Sequence, residues 1–245
     1  MEVFATCHVH SKWSYDASWS LEALSARFSA RGSRVLLMTE HDKGFTVARL
    51  NNYREACAEA SSEKLLIVPG IEYSDATNRV HVLVWGSVPF LGEGLPTSEM
   101  LKAVRAVDGL AVLAHPSRRD AWKTFEPDWA SQLLGIEVWN RKYDGWAPSQ
   151  TAPTLLRTTG AVPFVGLDFH THRQSFPLAM ALNVNGGISE ETVHESLRLR
   201  QCYARAFKLP LSQYVVRKAL PVLSVAERSR RIGVSLVRRS KSAKK

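Results

Sequence analysis

An α/β architecture is the fold class this sequence predicts: a closed or nearly closed β/α barrel with polar residues at its strand ends. Three observations predict it. Short continuous apolar runs, the mark of strands buried on both faces, alternate with helix-like segments. Six of the eight histidines stand where such a run begins or ends. Imidazole is the commonest side-chain ligand for transition metals, and strand ends are where a barrel gathers its chemistry.

The elements follow in order. Val3-Phe4-Ala5-Thr6-Cys7 runs into His8-Val9-His10, and Ser20-Leu21-Glu22 starts a helix that Gly32 can close. Val35 to Thr39 leads to Glu40-His41, and a second helix covers Thr46 to Ala60. Leu65 to Ile71 reads as one strand delivering Glu72, and His81 opens the run Val80 to Trp85. Thr97-Ser98-Glu99 has N-terminal capping chemistry for a helix that ends before Gly109. Leu110 to Ala114 delivers His115-Pro116; Gly135 to Trp139 is a further strand, and Thr154 to Thr159 lies on a helix. Val162 to Leu167 ends at Asp168-Phe169-His170, Leu178 to Val184 reads as a late or edge strand, and a helix spans Ser189 to Arg200. About seven strand–helix units result.

At 245 residues and 45% hydrophobic, the chain can bury a substantial core. No run of about 18 apolar residues suggests a spanning helix. The first strand starts almost at Met1, so no signal peptide is expected. Three widely spaced cysteines without a CxxC pair argue against a disulfide framework, and the protein is read as cytoplasmic. Of 32 Lys+Arg and 23 Asp+Glu, 12 basic residues and only Glu227 lie from Arg205 onward. That segment carries +11 and residues 1–204 carry −2, so the reading divides the chain into a barrel (1–204) and a basic C-terminal segment (205–245).

His8 and His10 lie on one side of an extended chain, because side chains alternate with period two. Asp16 follows on the loop, and Glu72 and Asp168 add carboxylates from other strand ends. One such histidine is commonly a hydrogen-bonded packing residue, and HxH alone is a weak sign. The whole set is hard to explain by packing. It exceeds what one ion needs, so about two to three divalent ions are expected, with Zn, Mn and Fe all compatible.

His8-Val9-His10-Ser11 with Asp16, Thr39-Glu40-His41-Asp42, Pro69-Gly70-Ile71-Glu72, His115-Pro116 and Gly166-Leu167-Asp168-Phe169-His170 resemble the successive motifs of the PHP (polymerase and histidinol phosphatase) family of metal-dependent phosphoesterases. The resemblance covers roughly residues 3 to 185, in family order. It implies a distorted seven-stranded β/α barrel of PHP type, here with a basic C-terminal helix. It also implies a trinuclear site: His8, His10, Glu72 and Asp168 on one metal; Glu72 bridging to a second held by His81 and His115; Asp16, His41 and His170 on a third. Thr6 stands where the first motif often carries Asp, and Glu40 where Asp is usual. The activity implied is phosphoester hydrolysis by metal-bound hydroxide, with His8, His10, Glu72, His115 and Asp168 at its centre. Small-molecule phosphatase, nucleic-acid or nucleotide phosphodiesterase, and a non-catalytic accessory module all stay open.

Arg118 and Arg119 follow His115-Pro116, Arg141 follows Asn140, and His172-Arg173 follow His170. Each is either a solvated loop residue or a contact to a phosphorylated substrate. Arg118 and Arg173 are assigned to substrate phosphate, and His172 to substrate contact or leaving-group protonation. Trp13, Trp19, Trp139 and Trp146 either wall the pocket or stack a base, or pack the barrel mouth, as aromatic residues there more often do. His194 lies outside every motif, on an expected surface helix.

Pro221 to Arg239 has helix chemistry, with Ser224-Val225-Ala226-Glu227 reading as a capping box. Val222, Val225, Ala226, Ile232, Leu236 and Val237 share one face; Arg228, Arg231, Arg238 and Arg239 take the other. Either the apolar face packs on the barrel, or the helix meets a polyanion, nucleic acid or anionic lipid. Ser240 to Lys245 is expected to be disordered.

Overall fold

Every apolar run becomes a strand in the computed structural model, which describes residues 1–216 and 220–242. After β1 (Glu2–Val9), α1 (Leu21–Ser29) starts where the Ser20 hydroxyl accepts from the Ala23 amide, and it buries Leu21, Leu24 and Phe28. β2 (Val35–Met38) and β3 (Glu40–His41) precede α2 (Val47–Ala60), which Thr46 caps in the same way. Next come β4 (Leu66–Val68), β5 (Gly70–Ser74), β6 (His81–Trp85) and α3 (Thr97–Ala106). Contrary to expectation, α3 has Pro96 at its cap position and no side-chain cap. β7 (Leu110–Leu113), β8 (Gly135–Asn140), α4 (Ala152–Thr159), β9 (Val162–Gly166), β10 (Leu178–Asn183) and α5 (Glu190–Arg198) continue the alternation. β11 (Cys202–Ala206), β12 (Leu209–Pro210), α6 (Leu211–Val216) and α7 (Leu220–Ser242) complete it.

Among the described residues, pairing gives two six-stranded sheets, ordered β12-β11-β10-β1-β2-β4 and β3-β5-β6-β7-β8-β9, in place of the closed or nearly closed, distorted seven-stranded barrel expected. The reason lies at two breaks. β2 passes into β3 through Thr39, and the expected strand from Leu65 to Ile71 divides at Pro69, which has no N–H for a ladder. Gly70 follows because a Cβ there would press on the Trp85 ring, whose indole N–H donates to Met38 O across the break. Elsewhere the sheets touch where the end of β1 meets the segment after β9: Leu167 N donates to Cys7 O and Phe169 N to His8 O, each at 3.0 Å.

β10 is not an edge strand. It pairs antiparallel with both β1 and β11. The boundary expected at residue 204 falls inside β11, so the sheet runs past it. β6 is antiparallel to both β5 and β7, and this brings its first residue, His81, to the level of Ser74 and Ala114 at the ends of its neighbours. A strand-opening histidine thus joins the strand-closing ones. Trp85, Trp139, Phe164 and Phe169 fill the core between sheets and helices.

The tail departs from expectation. Ser224 and Glu227 lie inside α7 and form no capping box; Glu227 is buried instead, accepting from the Trp146 amide and from Arg230 and Arg231. The helix extends through Ser242, so Ser240 to Ser242 are helical, and residues 243–245 lie outside the described residues, as do the side chains of Leu236, Val237, Arg238 and Arg239. Among the described residues no helix is long and apolar enough to cross a membrane.

Candidate metal centre

Glu72, at the middle of β5, is the hub on which the histidines converge. Its carboxylate lies 2.7 Å from His81 Nδ1, 2.9 Å from His115 Nε2, 3.0 Å from His41 Nδ1, and 3.5 Å from Nε2 of both His8 and His10. Asp168 Oδ1 lies 3.2 Å from His170 Nδ1 and 3.6 Å from His10 Nε2. Asp16 reaches over from its loop to His41 (3.3 Å) and His170 (3.1 Å). All the expected ligands are thereby gathered at one end of the strands.

Three of them sit on left-handed backbone: φ is +59° at His8, +24° at His115 and +48° at Asp168. Such conformations cost on the order of 1–3 kcal/mol each in non-glycine residues and cluster at functional sites. At His8 the β1–β2 register shifts, so His8 and His10 converge through a bulge and not through a regular strand alone.

The ring nitrogens are oriented from behind. His8 donates Nδ1–H to Glu137 Oε1 at 2.9 Å. Glu137 also accepts from the His115 amide (2.8 Å) and Asn140 Nδ2 (2.9 Å). Ser14 Oγ spends its proton on Glu40 at 2.5 Å, so His10 Nδ1, 3.2 Å away, must donate to it. Glu40 further accepts from the Ser11 amide and hydroxyl. Glu40 therefore braces the first motif from behind, and Thr6, the other departure, pairs with Ser33 away from the site. With Nδ1 protonated, Nε2 of His8 and of His10 presents a lone pair to the centre, and both atoms are buried without a hydrogen-bond partner. His115 faces Glu72 through Nε2, and its Nδ1 is buried and unpartnered on the other side of the ring. Orphaned imidazole lone pairs among carboxylates fit divalent metal ions. Ligand atoms fall within 4.8 Å of one another in three groups: His10, His41 and His170; His8, Glu72 and His115; and His8, His10 and Asp168.

Burial opposes charge throughout. It would raise Glu72, but His81 and His8 hold the carboxyl well below its usual range. It lowers His10, with His41 and His170 adding to the effect, which favours the neutral ligand form. Burial lifts Glu40 to about 7 despite its serine donors.

The substrate-facing residues expected from sequence fare unevenly. Arg118 is fully employed: Nη1 and Nη2 fork onto Asn78 O and Oδ1, and Nε donates to the Tyr143 hydroxyl. Asn78 Oδ1 in turn accepts from His81 Nε2 at 2.7 Å, so Arg118 braces His81 through Asn78. Arg119 also donates to Asn78 O, and Arg141 lies over Phe176. His172 and Arg173 are exposed in a short 3₁₀ turn capped by Thr171. Trp13 packs on Tyr53, Trp19 on Phe169, and Trp139 is core; Trp146 is half-exposed beneath Arg230. His194 lies on α5 but is buried, not on the surface.

Sequence reading missed Lys142, Glu137, Asn140 and Tyr15. Asn140 Oδ1 accepts from the Lys142 and Tyr143 amides, curling the loop after β8 so that Lys142 Nζ reaches Asp168. Tyr15 stacks on His41 at the solvent side, largely exposed. The one available signal was position: Asn140 and Lys142 lie at or just after the end of β8, while Glu137 lies inside it.

No family model matches the chain, and no curated protein matches it in sequence. Solved structures do. A two-domain protein of Bacteroides vulgatus ATCC 8482, containing a predicted PHP-like metal-dependent phosphoesterase, superposes with a TM-score of 0.65 at 16% identity, covering 86% of this chain and 66% of that one. The fold is the PHP fold. PsfC from Pseudomonas syringae PB-5123 shares it with a TM-score of 0.62 at 15% identity, covering 95% and 99% of the two chains. The lesion-specific endonuclease PfuEndoQ of Pyrococcus furiosus shares it with a TM-score of 0.56 at 16% identity over 81% of this chain. The chain spans 66% of the Bacteroides protein and 56% of PfuEndoQ, so a PHP fold of this extent is one part of each.

Proposed function

We propose that this chain is a metal-dependent phosphoesterase whose ions are held by His8, His10, Asp16, His41, Glu72, His81, His115, Asp168 and His170. The observation that carries the reading is the pair of buried, unpartnered Nε2 atoms of His8 and His10 facing Glu72 and Asp168, with His115 Nε2 on the same Glu72 carboxylate, within three overlapping ligand groups. Bound there, divalent ions supply positive charge for phosphoryl oxygens and acidify water. Zn, Mn and Fe all suit the donor set.

The chain's own residues do the rest. Glu137 and Ser14 fix the tautomers of His8 and His10. Lys142, partly exposed beside Asp168, offers a cation to a phosphoryl oxygen at the mouth. Tyr15 and Asp16 border the solvent side. Burial raises the Cys7 and Cys57 thiols, so neither offers a ready thiolate, and direct hydrolysis is the chemistry that fits.

A phosphodiester substrate is the second reading, favoured by the shared fold with an endonuclease known in complex with a 27-mer duplex bearing an abasic lesion. The test strips the protein of metal and reconstitutes it separately with Zn, Mn and Fe(II). Each form is assayed on p-nitrophenyl phosphate, bis(p-nitrophenyl) phosphate and an abasic duplex. Hydrolysis that requires metal is expected, with solvent oxygen in the phosphate product. Metal binding without turnover on the whole panel would favour a binding module instead.

A further inference from the structure

α7 is amphipathic and docks through Glu227 and Arg231, with Leu223 partly buried against the core. Glu227, the buried residue of its first turns, accepts from the Trp146 amide, and Gly145 leaves the space that its carboxylate fills. Arg231 donates to the carbonyls of Tyr143 and Asp144. The contact thus fastens the helix to the same loop that carries Lys142. On the opposite side lie Val222, Val225 and Ile232, three and seven residues apart and so close to whole turns. They are 69%, 61% and 56% exposed. Packing of that face on the barrel, one of the two arrangements expected, does not occur at these three positions; they form an apolar stripe that points to solvent, with Ser229 between Val225 and Ile232.

We propose that this stripe seats on an anionic membrane surface, with α7 lying in the interface plane. Two observations choose that occupant. The helix presents exposed Arg228 on its outer side, Arg231 being engaged with the loop, and its segment from Arg205 onward carries 12 Lys+Arg against the single, already paired Glu227. Two copies meeting through this face would bring like charges of +11 together, whereas anionic headgroups neutralise them. A nucleic acid would satisfy the arginines but leave Val222, Val225 and Ile232 in water, since its affinity comes from phosphate neutralisation. A basic helix with an apolar stripe is the arrangement that lies on lipid, its valines and isoleucine entering the boundary between headgroups and acyl chains.

The test is co-sedimentation of the full chain with vesicles of phosphatidylcholine alone or phosphatidylcholine mixed with phosphatidylglycerol. Binding to the mixed vesicles is expected at low salt, falling as salt rises, with little binding to the neutral ones. The double variant Val225→Asp, Ile232→Asp should weaken vesicle binding by at least about tenfold, because it puts carboxylates on the inserted face. Its melting temperature and metal content should stay unchanged, because both positions are exposed and far from the ligands. Absence of binding to anionic vesicles at low salt overturns the proposal. So does a double variant that binds vesicles as well as the parent, which would leave charge alone as the cause. A parent that sediments as a dimer, and a double variant that is monomeric, would assign the stripe to a second copy instead.

Discussion

Lys142 Nζ lies 3.0 Å from Asp168 Oδ1 and within 3.5 Å of both ring nitrogens of His170, so a cation of the chain stands among the proposed metal ligands. Burial disfavours its charge, yet Asp168 raises the ammonium pKa above its ordinary value. A fixed positive charge there competes with a divalent ion and, once turned outward, can meet a phosphoryl oxygen.

Lys142→Met should therefore bind metal more tightly, by about tenfold for removal of one neighbouring charge at the edge of a buried site. It should also raise KM for a phosphoester. Competition with a chromophoric chelator gives the first quantity and steady-state kinetics the second. Unchanged metal affinity would mean that Lys142 does not contend for the ligands.

Glu137 orients without ligating. Its two oxygens accept from His8 Nδ1, the His115 amide and Asn140 Nδ2. Glu137→Gln replaces one acceptor with a donor and should lower metal affinity about 10–100-fold, the usual cost of losing a residue that holds a ligand. Gly166 has a linked role, because a Cβ there would stand 2.8 Å from His8 Cβ and press on Glu137. Gly166→Ala should give the same phenotype with a lower melting temperature.

Much of this site is legible in the sequence because its ligands ride on strand ends, and strand ends are marked by apolar runs. Even His81, at the start of its run, could be placed once β6 was antiparallel. Lys142 and Glu137 were not legible. A glutamate inside a buried strand and a lysine in a loop look like ordinary residues until Asn140 curls the chain between them. The left-handed backbone at His8, His115 and Asp168 was equally hidden, since only tertiary packing selects it. The two-sheet break at Thr39 and Pro69 escaped notice because the apolar run continues through Pro69. In the tail, the sequence left open whether the apolar face packs on the barrel or the helix meets a polyanion; at Val222, Val225 and Ile232 that face is exposed, because the buried Glu227 sets which side docks.

His194 supplies a pH test away from the metal ligands. Burial, aided by Arg198, lowers its pKa from 6.5 to about 4. The folded chain therefore sheds a proton that the unfolded chain holds below 6.5. Its contribution is fully present above that value and is lost as pH falls toward 4. The loss should approach roughly 3 kcal/mol, from the linkage of a pKa shift to stability. Denaturant melts of the parent and His194→Gln should diverge over that window, with metal content the same in both. Parallel pH profiles would show that His194 is not held neutral.

Arg118 distinguishes a brace from a phosphate fork. Arg118→Lys keeps the charge but cannot fork onto Asn78, which accepts from His81. Metal content should fall with little change in KM per loaded site. A raised KM with full metal content would return Arg118 to the substrate.

Glu72 joins five imidazoles, those of His8, His10, His41, His81 and His115, and so carries the central claim. The most direct measurement is elemental analysis of parent and Glu72→Ala after identical reconstitution, with phosphoester hydrolysis read on the same samples. The account predicts more than one equivalent of divalent metal in the parent, and loss of both metal and hydrolysis in the variant while its circular dichroism stays native. A folded Glu72→Ala protein with full metal occupancy, or a parent that binds none, would contradict it.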